Sequence, residues 1–187
     1  MTKKLSEARE RILNSAHRLF YRDGIRATGI DRIIKEAAVT KVTFYRHFPS
    51  KNNLILAFLD FRHRLWINWF EESLRRNINR YGTLPEGLTE TLAEWFKSDD
   101  FRGCAFINTV SEIGNELPQV MPLIREHKTQ MEQIIASFIS SEKDEGRMAQ
   151  KYALLVEGAI TTVQRTGNID DVLSLFQEGM WAFTKFE

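Results

Sequence analysis

A short run of polar side chains in the amino-terminal quarter of the chain contains the residues best suited to chemistry. Thr40, Lys41, Thr43 and Tyr45 lie within six positions and supply hydroxyl and ammonium donors. Donors presented together by one helix can bind the acceptor atoms of phosphates or of base edges. Catalysis has no comparable candidate, because the sequence contains no phosphate-binding glycine loop, no nucleophile elbow and no CxxC pair.

Charge is divided unevenly along the chain. Residues 1–51 contain twelve Lys and Arg against five Asp and Glu, a net charge of +7, whereas the remaining residues carry a net charge of −6. A basic segment on a mildly acidic body is typical of a protein that binds a polyanion at one end. A basic face that is merely solvated has the same composition, so charge alone leaves both interpretations open.

The elements that must position these donors are helical. Four prolines and ten glycines in 187 residues favour long helices over turn-rich β structure. An amphipathic first helix is predicted to end at Gly24, after which Thr28 caps a short helix. Thr40 is predicted to cap a second short helix over residues 41–47. Two short helices joined by the turn at 38–40 are typical of a helix-turn-helix.

The rest of the chain is also predicted to be helical. Ser50 is expected to cap a long helix over 51–79, which ends before a linker at 81–85. Further helices are predicted at about 86–98, 103–115, 118–143, 146–166 and 169–185. We therefore predict an all-α fold of about nine helices, with a helix-turn-helix DNA-binding domain at 1–50 and a helical ligand-binding and dimerisation domain at 51–187.

The segment from Thr28 to Lys51 resembles the DNA-binding domain of the tetracycline-repressor (TetR) family of bacterial regulators. The resemblance covers about residues 8–55, and its most specific part is the Tyr-x-His-Phe-x-x-Lys run that ends at Lys51. Ala38 stands where many members have glycine, and we expect it to adopt a helical or bridge conformation. Thr40 replaces the commoner serine as an equivalent cap.

This resemblance implies which residues contact DNA. The second helix of a helix-turn-helix lies in the major groove, so Lys41 can donate to guanine while Val42 or Thr43 packs against a thymine methyl group. By resemblance, Tyr45, His47 and Lys51 contact phosphates, and the alternative for His47 is a structural histidine. The Thr28 hydroxyl is expected to donate to a phosphate as well as to cap its helix. The predicted DNA-binding residues are Thr28, Thr40, Lys41, Val42, Thr43, Tyr45, His47 and Lys51.

The resemblance also implies that the carboxy-terminal body encloses a cavity for a small-molecule effector. Aromatic side chains with a few polar groups are the usual lining of such a cavity. The candidates are Trp66, Trp69, Phe70, Trp95, Phe106, Asn108, Glu112, Met121, His127 and Met131. Plain core or surface is the alternative for each of them, and the sequence does not identify the effector.

The last two predicted helices carry more apolar residues than one small body needs. The resemblance implies that they form a four-helix bundle with a second copy of the chain, and two recognition helices about one DNA turn (~34–36 Å) apart need such a symmetric partner. The alternative is that they cover the core of a single chain. The predicted interface residues are Tyr152, Leu155, Val156, Ala159, Ile160, Val163, Val172, Phe176, Met180 and Phe183.

The function implied is that of a homodimeric transcriptional repressor, released from a palindromic DNA operator by its effector. An activator or a broad nucleoid-binding protein would keep the same DNA-binding domain. A different class, an all-α enzyme or binding protein, would use acidic residues as acid–base pairs. The acidic candidates for that alternative are Glu112, Glu116, Glu157 and Asp170.

Composition bounds the compartment and the cofactors. The single cysteine, Cys104, excludes an internal disulfide and favours a reducing cytoplasm. It is expected to be a small core residue, a redox-sensing thiol being the alternative. The sequence has no apolar run suited to a signal peptide or to a membrane span. The four histidines have no metal-ligand spacing, so no metal is expected. No other cofactor and no membrane partner are expected either.

Overall fold

A computed structural model describes residues 2–139 and 145–184 of the chain, and helices are the regular structure throughout those ranges. The elements are α1 (Thr2–Asp23), α2 (Ile30–Glu36), α3 (Lys41–His47), α4 (Lys51–Tyr81), α5 (Leu84–Phe96), α6 (Ala105–Ile113), α7 (Val120–Ala136), α8 (Glu145–Thr166) and α9 (Ile169–Thr184). The predicted all-α class and the number of helices are confirmed over these ranges. None of the described helices is long and apolar enough to cross a membrane.

The first of two compact units contains the residues up to Arg64 together with Ala105–Arg125. In it α1, α2 and α3 pack against one another. Phe44 of α3 is completely buried, and the rings of Phe20 and Phe58 meet edge to face at 5.4 Å between centroids. Buried aromatic side chains remove large apolar areas from water, so these rings fix α3 and the first half of α4 to α1.

The second compact unit contains Leu65–Cys104 and the residues from Glu126 onwards. Here α9 packs against both α5 and α8. Gly87 allows α5 to approach α4 closely, because a Cβ atom at this position would lie 2.8 Å from the backbone nitrogen of Ile78. Val156 of α8 and Met180 of α9 are completely buried in the core of this unit.

The compact units do not follow the domain boundary that we predicted between residues 50 and 51. Helix α4 is shared, since its residues up to Arg64 belong to the first unit and those from Leu65 belong to the second. Phe58 explains the difference, because its ring packs against α1 rather than against the body. A boundary placed at a helix start cannot detect such long-range packing.

Two of the three predicted helix caps are present. The Thr40 hydroxyl accepts a hydrogen bond from the Thr43 amide at 3.1 Å at the start of α3. The Ser50 hydroxyl accepts one from the Asn53 amide, also at 3.1 Å, at the start of α4. The prediction for Thr28 is wrong, because Gly29 is the capping residue of α2 and makes no side-chain bond.

The turn between α2 and α3 closes through a left-handed residue. Ala38 has a φ of +50°, so our expectation of a helical or bridge conformation is wrong. The amides of Ala38 and Val39 donate to the carbonyls of Lys35 and Ile34, at 3.2 Å each. This hydrogen-bonded ending of α2 requires positive φ, which costs an L-residue about 1–2 kcal/mol.

Two helix ends differ visibly from the prediction. Helix α5 begins at Leu84, because the Thr83 hydroxyl accepts from the Glu86 amide at 3.3 Å and a proline is tolerated in the first turn. Helix α7 ends at Ala136, and the predicted continuation over 140–143 lies outside the described residues.

Candidate nucleic-acid interface

Helix α3 is anchored on one face by aromatic side chains. Phe44 and Phe48 are both buried, with ring centroids 6.3 Å apart. The preceding helix is tied to α1, because the Arg11 side chain donates to the Ala37 carbonyl at 3.1 Å. The short helix therefore has a fixed position, which a helix of seven residues could not maintain alone.

The opposite face of α3 is open to solvent. Val42 is 69% exposed and Tyr45 is 40% exposed, so this face presents apolar and aromatic surface to solvent. Lys41 and Arg46 are exposed beside them. A cation, an apolar group and a phenol on one helix face can donate to acceptors and contact a methyl group, as base-edge recognition requires.

Two polar residues of α3 already have partners within the first unit. The hydroxyls of Thr43 and Thr40 lie 2.9 Å apart, so one donates to the other. The Lys41 ammonium lies 3.9 Å from the Asp31 carboxylate, a fully solvated pair of little energetic weight. Lys41 can therefore exchange this partner for another acceptor, whereas the Thr43 hydroxyl already shares a hydrogen bond with the capping residue Thr40.

His47 occupies the last turn of α3 and is half-buried. Its Nε2 atom is buried and has no hydrogen-bond partner within the described residues. A buried polar atom without a partner is costly, so His47 gains from any acceptor or donor that reaches this end of α3. The predicted phosphate contact requires that nitrogen to become accessible.

Thr28 does not fill its predicted role at the interface. The side chain is completely buried, and its hydroxyl donates to the Gly24 carbonyl at 2.7 Å and towards the Leu19 carbonyl at 3.3 Å. It therefore satisfies carbonyls at the end of α1, where a helix leaves its last acceptors unpaired. This corrects the prediction of a phosphate-binding hydroxyl at Thr28.

Lys51 also points away from its predicted partner. Its Nζ atom donates to the Ile25 carbonyl at 2.6 Å and lies 6.0 Å from the centre of the Phe20 ring. Burial lowers the pKa of Lys51, while the nearby Glu112 carboxylate opposes that shift. The ammonium is thus held within the first unit in this structure.

Glu112 lies beside the same loop. Its carboxylate accepts a hydrogen bond from the Arg26 amide at 2.9 Å, and its own carbonyl accepts from the Arg26 guanidinium. The Arg26 guanidinium also pairs with Glu116. Glu112 was predicted as an effector ligand, but in this structure it holds the loop between α1 and α2.

The surface of the first unit carries a further charge cluster. The Asp23 carboxylate pairs with Arg22 at 2.8 Å and with Arg32 at 2.7 Å. The hydrogen bond from Arg22 lowers the pKa of Asp23, and Arg32 acts in the same direction. Asp23 therefore stays ionised, and two of the basic residues are partly neutralised near α2.

The comparisons with known proteins agree on one family. Residues 12–58 match the family model described as "Bacterial regulatory proteins, tetR family". The solved structure of SCO4454, a TetR-family transcriptional regulator from Streptomyces coelicolor, superposes with a TM-score of 0.78 at 29% identity, over 95% of this chain and 94% of that one. Residues 12–58 form a TetR-family domain.

Two curated relatives give the same result over shorter stretches. A regulator of the helix-turn-helix type encoded in the lacX 3′ region of Lactococcus lactis is 29% identical over 114 residues, 58% of this chain and 56% of the relative. The regulator QacR of Staphylococcus aureus is 33% identical over 107 residues, 49% of this chain and 57% of QacR. The chain thus spans about half the length of the curated relatives it matches.

The second unit of the chain, outside the TetR-family domain, gathers an aromatic cluster from the predicted effector residues. Trp66 lies at its centre, stacked on Phe70 at 4.7 Å between ring centroids with an interplanar angle of 11°. Trp95 and His127 contact Trp66 edge to face at 5.4 and 5.1 Å, and Trp69 lies 6.2 Å away. The buried indole Nε1 of Trp66 has no hydrogen-bond partner within the described residues.

The remaining effector candidates are not placed in this cluster. Phe106, Asn108, Glu112 and Met121 belong to the first compact unit, where Phe106 is buried with its ring 6.5 Å from that of His63. Met131 belongs to the second unit and is almost completely buried. Helical periodicity finds apolar faces but does not distinguish which unit each face joins.

Most of the predicted dimer residues lie in the core of the chain, and Leu155, Ala159, Val172 and Phe176 also line the groove between α8 and α9. Eight of them are buried within the single chain, so they form its core: Tyr152, Val156, Ala159, Ile160, Val163, Val172, Phe176 and Met180. Leu155 and Phe183 remain partly exposed. The same face of α8 and α9 also carries Leu154, 73% exposed, and Leu175, 61% exposed, which were not predicted.

Sequence reasoning missed three residues, one in the aromatic cluster and two on the exposed face of α8 and α9. Phe101 extends the aromatic cluster, 5.3 Å from Trp95 and 5.0 Å from Phe96 between ring centroids. Leu154 and Leu175 were missed because α8 and α9 each have two apolar faces, and we chose the more continuous one. The signal for Phe101 was its position just after the Trp95-Phe96 pair, between the helices predicted at 86–98 and 103–115.

Proposed function

We propose that this chain is a sequence-specific DNA-binding regulator of transcription in the bacterial cytoplasm, and that it acts as a homodimer on a palindromic operator. The observation that carries the proposal is the outward face of α3, where Lys41, Val42 and Tyr45 are exposed while Phe44 anchors the helix. A capped, anchored helix with a donor and an apolar group on its free face suits the major groove. The TetR-family domain at residues 12–58 supports the same function.

A second copy of the chain is the proposed partner of the α8–α9 face. A shallow groove of about 210 Å³ runs between these helices, and its rim includes Leu154, Leu175 and Gly158. Because Gly158 has open space around it, another helix can approach closely there. A two-fold axis through this face would supply the second recognition helix that a palindrome requires.

The aromatic cluster around Trp66 is the proposed site of effector binding. Stacked and edge-to-face rings suit a flat aromatic ligand. The unsatisfied Nε1–H of Trp66 favours a ligand that carries a hydrogen-bond acceptor. Such an effector would release the protein from its operator by binding the DNA-free conformation more tightly than the DNA-bound one. Only a difference in affinity between the two conformations shifts their equilibrium.

Each acidic residue that the enzyme alternative would use already has a partner among the described residues. Glu112 and Glu116 both bind Arg26, whereas Glu157 pairs with Lys128 at 3.3 Å and Asp170 lies 4.0 Å from Lys97. An acid–base pair of the kind that this alternative invokes would need two carboxyl groups free to reach one substrate. This arrangement favours a regulator over the enzyme alternative.

Selection from a pool of random duplexes at two salt concentrations tests the proposal. We expect a palindrome to be enriched by the purified protein at both concentrations. Lys41→Ala should abolish or change the enriched sequence, while Lys35→Ala, which removes an exposed lysine from α2, should leave it the same. Binding that is blind to sequence and disappears with salt would contradict the proposal, because charge alone gives that behaviour.

A further inference from the structure

A single peptide unit in the loop between α1 and α2 is held from both sides by charged side chains. The carbonyl of Ile25 accepts a hydrogen bond from the Lys51 ammonium at 2.6 Å. The amide of Arg26, the other polar group of that peptide unit, donates to the Glu112 carboxylate at 2.9 Å. The ammonium comes from the first residue of α4 and the carboxylate from the last turn of α6.

The residues around this peptide unit pack closely and make further hydrogen bonds. Gly24 has a φ of +91°, and a Cβ atom there would lie 3.1 Å from a carboxylate oxygen of Glu112. Ile25 is buried, so its carbonyl would lack a partner without Lys51. The Arg26 guanidinium adds bonds to the Glu112 carbonyl and to Glu116. Helices α4 and α6 and the loop thus meet at one peptide.

The two charges strengthen each other through the peptide. A cation on the carbonyl polarises the peptide so that its amide is a better donor to the carboxylate. The Glu112 carboxylate in turn favours the charged form of Lys51, whose burial lowers its pKa. Loss of either charge should therefore weaken the bond that the other makes.

We propose that Lys51 is a positioning residue of the DNA-binding unit, which together with Glu112 fixes the Ile25–Arg26 peptide and so the placement of α2 and α3. In this role Lys51 acts through the loop and not through a phosphate, the contact that the resemblance implied. The assignment of Glu112 makes the end of α6 part of the DNA-binding unit. The statement about DNA rests on the proposed function, whereas the bridge itself does not.

The first arm of the test measures hydrogen exchange in the free protein. We expect Lys51→Met and Glu112→Gln each to speed exchange of the Arg26 amide by about tenfold, because each weakens the same bridge. Lys41→Met removes an exposed lysine of the same unit and should leave this amide unchanged. Unchanged exchange of the Arg26 amide in both bridge variants would overturn the proposal, whether or not the protein binds DNA.

The second arm measures affinity for the selected duplex over a range of salt concentrations. A lysine that contacts a phosphate contributes about 0.9 to the slope of log affinity against log salt. We expect Lys51→Met to weaken binding by about tenfold at every salt concentration with an unchanged slope, as for a lost charged hydrogen bond. A direct phosphate contact predicts instead that Lys51→Met reduces the magnitude of the slope by about 0.9.

The double variant separates positioning from direct contact. If Lys51 and Glu112 act through one bridge, the double variant Lys51→Met with Glu112→Gln binds no more weakly than Lys51→Met alone. A slope whose magnitude falls by about 0.9 in Lys51→Met, with additive effects of the two bridge variants, would overturn the proposal. Failure to enrich any duplex would reject the proposed function and leave the exchange result to decide the bridge.

Discussion

The amide of Arg26 donates a hydrogen bond to the carboxylate of Glu112 at 2.9 Å, although 86 positions separate the two residues in sequence. The contact brings the last turn of α6 onto the loop that precedes the helix-turn-helix. Glu112 therefore contributes to the unit that carries α3, far from its neighbours along the chain. The neighbouring Gly24 provides the clearest test of how closely this contact is packed.

Gly24→Ala should destabilise the protein. The residue has a φ of +91°, and a methyl group would lie 3.1 Å from the Glu112 carboxylate. We expect the free energy of unfolding to fall by about 1–3 kcal/mol, from backbone strain and the displaced carboxylate. Urea denaturation measures this change. Gly146→Ala is the matched control, since Gly146 is helical with open space around it and should lose no stability.

Ala38→Gly should have the opposite effect. Ala38 adopts a φ of +50°, where glycine avoids the strain that alanine suffers. We expect the midpoint of urea denaturation to rise, with a gain of about 0.5–1 kcal/mol once the greater freedom of the unfolded glycine chain is subtracted. Ala37, which has a φ of −74° and is buried, is the control, and Ala37→Gly should lower the midpoint. Equal losses from both variants would contradict the account of this turn.

The contrast between local and distant partners explains how much could be predicted from the sequence. The Thr40 cap was predictable because its partner, Thr43, lies three residues away. The element order was predictable because periodicity is local. Arg26 gave no signal, since its acceptors Glu112 and Glu116 are distant in sequence. Lys51 was assigned to a phosphate by resemblance, and only the fold reveals the Ile25 carbonyl beside it.

The sequence pattern likewise could not predict which apolar face of a helix is buried within its own chain. Helix α8 carries Val156, completely buried, and Leu154, 73% exposed, only two positions apart. Both are apolar, and periodicity ranks the more continuous face first. The packing of α9 against both α5 and α8 determines which face of α8 is buried, and no local feature of the α8 sequence encodes that packing.

Leu175→Asp should prevent dimer formation. The side chain is 61% exposed in the single chain and lines the α8–α9 groove, so a carboxylate there would be buried without a partner in the proposed dimer. We expect light scattering to report a mass near that of one chain, where the unchanged protein gives twice that mass. Leu65→Asp changes another exposed leucine, on α4, and should leave the dimer intact. A monomeric unchanged protein would contradict the proposed interface.

Trp66→Phe should weaken effector binding more than it weakens folding. Phenylalanine keeps the stacking on Phe70 but removes the indole N–H that lacks a partner. For an aromatic ligand with an acceptor we expect the dissociation constant to rise about tenfold, the effect of one buried hydrogen bond. Quenching of tryptophan fluorescence by a panel of aromatic compounds measures it. Trp181→Phe, at an exposed position on α9, should bind like the unchanged protein.

The central claim, that α3 recognises base edges, is tested most directly by removing one methyl group from the DNA. Uracil lacks the C5 methyl of thymine, and Val42 is the exposed apolar residue of α3 that could contact it. Each thymine of the selected duplex would be replaced in turn, and affinities measured for the unchanged protein and for Val42→Ala. We predict one position in each half-site where uracil weakens binding of the unchanged protein but has no further effect on Val42→Ala. Equal losses for both proteins at every position would contradict the claim.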